Sequence, residues 1–442
     1  CGIWFTVKLG GVQLRHFGHM FSLLKGSNTS TKDGISSFQA LCTSLSARVG
    51  TGNLAGVAVA ISLGGAGAIF WMWMIALLGM ATGFAESVLG QLYKVRDENG
   101  EFRGGPAYYI KQGLNKTWLA VAFSLCLFFG YGFVFSAVQA NTITDALNNA
   151  YSFPTEYVGL AIIALAALIV VGGLKSIARF AEFVVPFMGI GYVLVALAIT
   201  FINISELPAM LLDIVKSAFG LQEAGAGALG AAIKNGIQRG LYSNEAGSGS
   251  VPHAAASAVP NPNHPVSQGY IQMLGVFLDT LVLCTSTAFI ILLAGGSSSD
   301  QMEGIRLTQD AMSSHLGEGG TDFVAAAISL FAFTSVVANY AYGESNLHMF
   351  KLDNKIGRAV YTIGYLGMIY WGAQAALPQV WAMADMALGL MTVINIIAIV
   401  WMTPTIVSIS KDYFKKKDSG ANMEYKAGDC EIQGKSEDGI WD

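Results

Sequence analysis

Arg48-Val-Gly-Thr-Gly-Asn-Leu-Ala-Gly56 and Leu241-Tyr-Ser-Asn-Glu-Ala-Gly-Ser-Gly249 are the two stretches on which the reading of this chain turns. Each carries Asn-x-Ala-Gly, beginning at Asn53 and at Asn244, in the middle of a long apolar run. A glycine inside a helix costs about 1 kcal/mol relative to alanine, yet Gly50, Gly52 and Gly56 cluster in one run and Gly247 and Gly249 in the other. Unpaired backbone survives in a membrane only where it is buried in protein or lines a polar cavity. The two stretches therefore predict helices that break at mid-membrane, where freed N–H groups suit a carboxylate and freed carbonyls suit a cation. Packing of small residues would explain the glycines, but it does not require Thr51, Asn53, Ser243, Asn244 and Ser248 beside them.

The rest of the chain fits that setting. Of 442 residues, 53% are apolar and 12% charged, too few charges for a soluble surface. A spanning helix needs about 20 mostly apolar residues, and ten runs qualify: 36–62, 65–93, 118–150, 157–174, 180–203, 228–256, 268–294, 321–348, 357–376 and 379–409. An eleventh, 2–24, is interrupted by Lys8, Arg15 and His16; it reads either as an interfacial helix or as a span that starts upstream of Cys1. If the first and sixth runs correspond, the repeat unit is five spans, and an odd number sets the two halves in opposite orientation, an inverted repeat. Glu86 and Asp279 fall at nearly the same offset in the two halves.

Charge gives the orientation. Lys25 and Lys32, then Lys94 to Lys116, Lys175 and Arg179, Lys351 to Arg358, and Lys411 to Lys417 fall on alternate loops, which the positive-inside rule makes cytoplasmic. The tail 410–442 is then cytoplasmic too, and its mixed charge and glycine suggest little fixed structure. The longer outer connections, near Glu206 to Leu221 and Gly295 to Gly320, have room for short external helices or a lid. With 25 basic against 29 acidic residues the net charge is −4, so nothing tracks a nucleic-acid backbone. Five scattered cysteines form no disulfide framework or structural metal site. The Gly50-x-Gly52 run has neither the spacing nor the βαβ context of a dinucleotide site.

The chain resembles the alanine/glycine:cation symporter (sodium:alanine symporter) family, within the amino acid-polyamine-organocation superfamily that shares the leucine-transporter-like fold. The resemblance rests on Val49-Gly-Thr-Gly-Asn-Leu-Ala-Gly-Val57, Gly64-Gly-Ala-Gly-Ala-Ile-Phe-Trp-Met-Trp73, Phe84-Ala-Glu86, Gly104-Gly-Pro-Ala-Tyr108, Gln139-Ala-Asn141, Ser243-Asn-Glu-Ala-Gly-Ser248 and Trp381-Ala-Met-Ala-Asp385. It implies an all-α protein of about 11 spans, with one peripheral N-terminal helix (1–24), a first five-helix repeat (36–203), an inverted second repeat (228–409) and the tail. It implies multi-pass insertion in a prokaryotic cell membrane and import of alanine, and often glycine, with Na⁺ or H⁺. No protein partner is expected.

The resemblance also suggests a Na⁺ site. The carbonyls of Ser46 and Val49 precede the first break; Phe331, Thr334 and Ser335 stand at i, i+3 and i+4 on one helix face. Such hydroxyls commonly bond back to their own helix instead. The substrate carboxylate is expected at the amides of Thr51 and Gly52, near Asn53, and its ammonium at Ser243, Asn244 and Gly247. Phe135 and Gln139 lie one turn apart and could wall the pocket; Trp381, Met391 and Asn395 would limit its size, though a core role for Trp381 and Met391 is as natural. Intramembrane charges need a partner or water. Arg48, Glu86, Glu245 and Asp279 are thus candidates for gating or coupling, Arg48 by pairing with an acid at an inner gate, and Asp385 also requires a partner.

Two other classes compete. A channel needs rings of like groups around a continuous pore, and one asymmetric pair of breaks does not supply them. An intramembrane enzyme would need a nucleophile or metal motif beside His253 and His264, and none is present. Within transport, an H⁺-coupled carrier for another small neutral amino acid is the runner-up.

Overall fold

The computed structural model of the chain describes residues 1–27, 34–97, 100–221, 226–295 and 304–441; Lys32, one of the loop cations, lies outside them. Both expected breaks are present. The first broken helix runs Ser37–Arg48 and resumes as a π-helical turn, Gly52–Gly56, leading into Val57–Gly64. It starts where it does because Ser36 and Gln39 form a reciprocal cap: Ser36 Oγ accepts the Gln39 amide at 3.1 Å, and the Ser36 amide donates to Gln39 Oε1 at 3.0 Å. The second broken helix runs Ala226–Asn244 and resumes at Val251–Ser257.

Ile35–Ser36, just before the first broken helix, pairs in parallel with Ala258–Val259, just after the second. The first broken helix leaves this pair and the second arrives at it, and because the adjoining halves Ser37–Arg48 and Val251–Ser257 pack side by side, they run in opposite senses. Gly67–Leu92 lies between them, and its C-terminal half is buried throughout.

Among the described residues, six helices are long and apolar enough to cross a membrane: Gly67–Leu92, Thr117–Tyr151, Gly173–Ile202, Pro265–Leu293, Gly319–Met349 and Leu377–Trp401. The other expected spans fall short for local reasons. The broken helices are each cut in two, Thr155–Val170 has 16 residues, and Lys355–Gln374 opens on two cations. Gly173–Ile202 turns Phe183, Phe187 and Ile202 outward, each more than three-quarters exposed, as a lipid-facing helix would. The two long outer connections carry the helices Leu207–Ala218 and Ile305–Leu316.

Two expectations are corrected. Residues 2–24 form three short helices, Gly2–Lys8, Val12–Arg15 and Phe17–Leu24, because the chain turns through left-handed backbone at Gly10 and Gly11. The tail is not loose. After the helix Thr403–Ser419, the Tyr425 amide donates to Asn263 O at 2.9 Å, the Tyr93 hydroxyl to Gln433 O at 2.5 Å, and Trp441 Nε1 to Leu92 O at 3.1 Å. Tyr425 and Trp441 are buried: two aromatic anchors order a segment whose average composition is polar.

Candidate functional site

At the first break the chain turns extended at Val49, and the next two amides go to side chains. The Gly50 amide donates to Asn53 Oδ1 at 2.9 Å, and Thr51 gives both its amide (2.9 Å) and its hydroxyl (2.8 Å) to Gln139 Oε1. The carbonyls of Ser46 and Ala47 thereby lose the amides that a continuous helix would aim at them. Gly50 has no substitute here, because a Cβ would fall on Ser335 Oγ and lie 2.6 Å from Gln139 Oε1. Gly52 packs on the second broken helix, its would-be Cβ 3.0 Å from Ser243 Cα.

The second break is longer. Glu245, Gly247 and Gly249 all have positive φ (58°, 91° and 84°), a path that glycine takes freely. Its freed amides meet a carboxylate: Gly247 N–H donates to Glu86 Oε1 at 3.0 Å and Gly249 N–H to Oε2 at 3.1 Å. Asn395 Nδ2 donates to Glu86 Oε2 (2.8 Å) and to Gly247 O (2.9 Å), while Tyr109 OH donates to Asn395 Oδ1. Asn244 Oδ1 accepts the Ala246 amide at 3.0 Å, and Glu245 accepts the Ser250 hydroxyl at 2.7 Å.

A third polar cluster joins both broken helices to the π-helical stretch Phe277–Cys284. Asp279 accepts from Asn53 Nδ2 at 2.7 Å, Ser243 Oγ at 2.8 Å and Thr280 Oγ1 at 2.7 Å. Asn53 and Ser243 are therefore engaged with a buried acid and each other, while Asn53 Oδ1 keeps the Gly50 amide beside Thr51.

At the expected cation site, Ser335 Oγ lies 3.2 Å from both Val49 O and Phe331 O, Thr334 Oγ1 donates to Phe331 O at 2.8 Å, and Ser46 Oγ donates to Thr334 O at 2.8 Å. Both hydroxyls do bond back to their own helix, and Ser335 also reaches across. The donor set is neutral oxygen, which matches a hard monovalent cation, and the carbonyl freed by the break at Ser46 is the kind of group such an ion takes. The residues fit Na⁺.

Around the breaks stands an aromatic wall. Tyr131 and Phe135 ring centroids are 4.7 Å apart, Phe135 and Tyr242 6.0 Å, and Tyr242 and Trp381 4.8 Å. Arg239 lies 4.4 Å over the Trp381 ring and pairs with Asp385 at 2.5 Å, which also accepts from Gln238 Nε2 at 2.6 Å. Arg239 went unread in the sequence, although the rule that flagged Asp385 applies equally to it. Asn141 ties to Gly372 O and Ala375 O and faces away from this region. Met391 is fully buried near Phe135, both being neighbours of Gly130.

Between the breaks, Arg48, Tyr131, Phe135, Gln139, Tyr242, Glu245 and Asn339 line a cavity of about 10 Å³, the size that admits one water molecule. The expected pairing of Arg48 with an acid is not a direct contact. Its Nη1 donates to Gln272 O at 3.4 Å, and among the described residues no carboxylate lies within 4 Å of it. Arg48 Nε and Nη2, Tyr242 OH and Asn339 Oδ1 are buried without a hydrogen-bond partner among the described residues.

Polar groups converging on two interrupted helices inside an apolar helical bundle define a membrane transporter. The chain belongs to the sodium:alanine symporter family, whose description matches residues 1–427. It is 47% identical over 420 residues to the probable sodium/glutamine symporter GlnT of Bacillus subtilis (strain 168), covering 95% of this chain and 87% of that protein. It is 37% identical over 422 residues to the sodium/alanine symporter AgcS of Methanococcus maripaludis, covering 93% and 92%. A manganese transporter of Eremococcus coleocola shares the fold, with a TM-score of 0.52 at 12% identity over 85% of this chain and 76% of that one. The protein is thus a sodium-coupled amino-acid transporter and not an enzyme.

Proposed function

We propose that this protein imports alanine, and with it glycine, by symport with Na⁺, using alternating access around the first break. The proposal takes the core as two inverted five-helix repeats with a peripheral N-terminal segment, inserted in the cell membrane with the tail cytoplasmic. The opposite senses of the two broken helices support that arrangement. One observation carries the assignment of the site: the Thr51 amide and hydroxyl are satisfied only by the neutral oxygen of Gln139. A substrate carboxylate makes stronger, charge-assisted bonds to the same donors and can take that oxygen's position. Phe135, Tyr242 and Trp381 limit the side chain, and the Arg239–Asp385 pair over Trp381 closes one side.

Na⁺ supplies positive charge where two helices meet, and Ser46, Val49, Phe331, Thr334 and Ser335 would hold it. Coupling follows if these residues favour the alanine-competent form, since an ion shifts a conformational equilibrium only by its differential affinity. The test is uptake into proteoliposomes with the Na⁺ and pH gradients varied independently. Alanine is expected to accumulate under an inward Na⁺ gradient at equal pH; accumulation under a proton gradient alone would make the protein a proton carrier.

A second reading is favoured by the unpartnered Arg48, Tyr242 and Asn339 groups between the breaks. They offer donors and an acceptor that a side-chain carboxamide would satisfy, so glutamine is the other candidate substrate. Competition by glutamine against labelled alanine in the same assay decides between them.

A further inference from the structure

Outside the transport site, the structure carries an open groove of about 400 Å³ whose walls are almost wholly hydrocarbon. One wall is the first half of the first broken helix, through Leu41, Leu45 and Val49; the others are Gly173–Ile202, through Pro186 and Ile190, and the π-helical stretch, through Val282. The groove opens on the lipid-facing side, where Ile190 and Leu194 are 61% and 60% exposed. An apolar cavity does not hold water, and in a bilayer the only material at its mouth is acyl chain. From Pro186 to Leu194 it extends about 12 Å along the helix axis, most of one leaflet's share of a hydrocarbon core about 30 Å thick.

Two cations flank the mouth. Lys25 follows Leu24, which lines the groove. Arg179 stands two turns before Pro186, on the same stripe of the helix. Both are exposed, and neither makes an ion pair or side-chain hydrogen bond among the described residues. Glu182, three residues after Arg179 on the same helix, accepts from Gln39 Nε2 at 2.8 Å and is held on the side of the first broken helix. Basic residues at the end of an intramembrane groove are what an anionic headgroup requires.

We infer that this groove is a binding site for an anionic phospholipid, one acyl chain lying against Leu45, Val49, Pro186 and Ile190 and the phosphate meeting Lys25 and Arg179. The bound chain packs against the half-helix that ends in the first break. Because the Val49 carbonyl accepts from Ser335, the lipid buttresses one wall of the cation site.

The test uses purified full-length protein, delipidated and then offered phosphatidylglycerol or phosphatidylcholine of identical chains, with retained lipid counted by native mass spectrometry. One tightly held phosphatidylglycerol is expected, preferred about tenfold or more. The double variant Lys25→Gln/Arg179→Gln should lose the preference and still retain lipid. Gly189→Phe should lose the tight site for both lipids; a Cβ there meets nothing within 4 Å, so the ring can enter the groove without disturbing the helix, and an unchanged melting temperature verifies that. Equal retention of the two lipids by the unmodified protein would overturn the headgroup assignment. Undiminished phosphatidylglycerol in Gly189→Phe at an unchanged melting temperature, or a neutral hydrophobe held in place of phospholipid, would overturn the site.

Discussion

The two breaks begin from the same Asn-x-Ala-Gly and end in different chemistry. At the second, the freed amides of Gly247 and Gly249 are held by a carboxylate that belongs to the protein, Glu86, itself fixed by Asn395. At the first, the Thr51 amide and hydroxyl are held by the carboxamide oxygen of Gln139. A resident anion excludes a second one; a neutral oxygen can be exchanged for an anion at a gain. The pair teaches that a broken helix alone does not define a ligand site. What occupies its freed amides decides whether it is structural or exchangeable.

The strongest way to break this comparison is to make the first break like the second. Gln139→Glu is nearly isosteric and gives Thr51 a resident carboxylate. Against an incoming carboxylate, like-charge juxtaposition costs several kcal/mol, so alanine uptake should fall by about a hundredfold or more with little change in melting temperature. Uptake near the unmodified level would show that the substrate carboxylate does not meet Thr51. The converse change, Glu86→Gln, weakens charge-assisted bonds to two buried amides and sets an NH₂ group against one of them. A loss of about 2–3 kcal/mol in stability is expected, seen as a lower melting temperature in detergent, with substrate affinity of the surviving protein less affected.

Which of these features could be read beforehand follows from their range in the sequence. The breaks were legible because glycine, asparagine and serine inside apolar runs conflict locally with a helix, and the conflict is visible within nine residues. The partners were not. Gln139 to Thr51, Glu86 to Gly247 and Asn53 to Asp279 join residues 88 to 226 apart, and nothing local says which buried acid meets which break. Asp279 was read as a gating charge and Asn53 as a substrate neighbour, and the bond that joins them was not visible in the sequence. The tail failed for another reason: composition averaged over 410–442 hides Tyr425 and Trp441, two side chains sufficient to dock it.

Removing one oxygen at the cation site is a milder test of the first break. Ser335→Ala deletes the hydroxyl that spans Val49 O and Phe331 O, and half-maximal Na⁺ for alanine uptake should rise about tenfold. An unchanged Na⁺ requirement would mean that Ser335 serves only to bridge the helices.

The smallest effect concerns neither break, and it separates them from the end of the bundle where the first broken helix begins and the second ends. His264, just before Pro265–Leu293, accepts the Val266 amide at Nδ1 (3.1 Å), which leaves Nε2 to donate to Asp412 at 3.2 Å. Burial lowers its pKa to about 4, with Asp412 opposing the shift. A form in which this contact is open has the ordinary value near 6.5. Between about pH 6.5 and 4 the open form therefore binds a proton that the closed form does not, and the contact weakens as the pH falls. Hydrogen exchange in the helix Thr403–Ser419 should be severalfold faster at pH 5 than at pH 7 after correction for intrinsic rates. His264→Gln should abolish that dependence. Any pH dependence of transport that survives in His264→Gln must then arise elsewhere, and the carboxylates around the two breaks, Glu86, Glu245 and Asp279, are where to seek it.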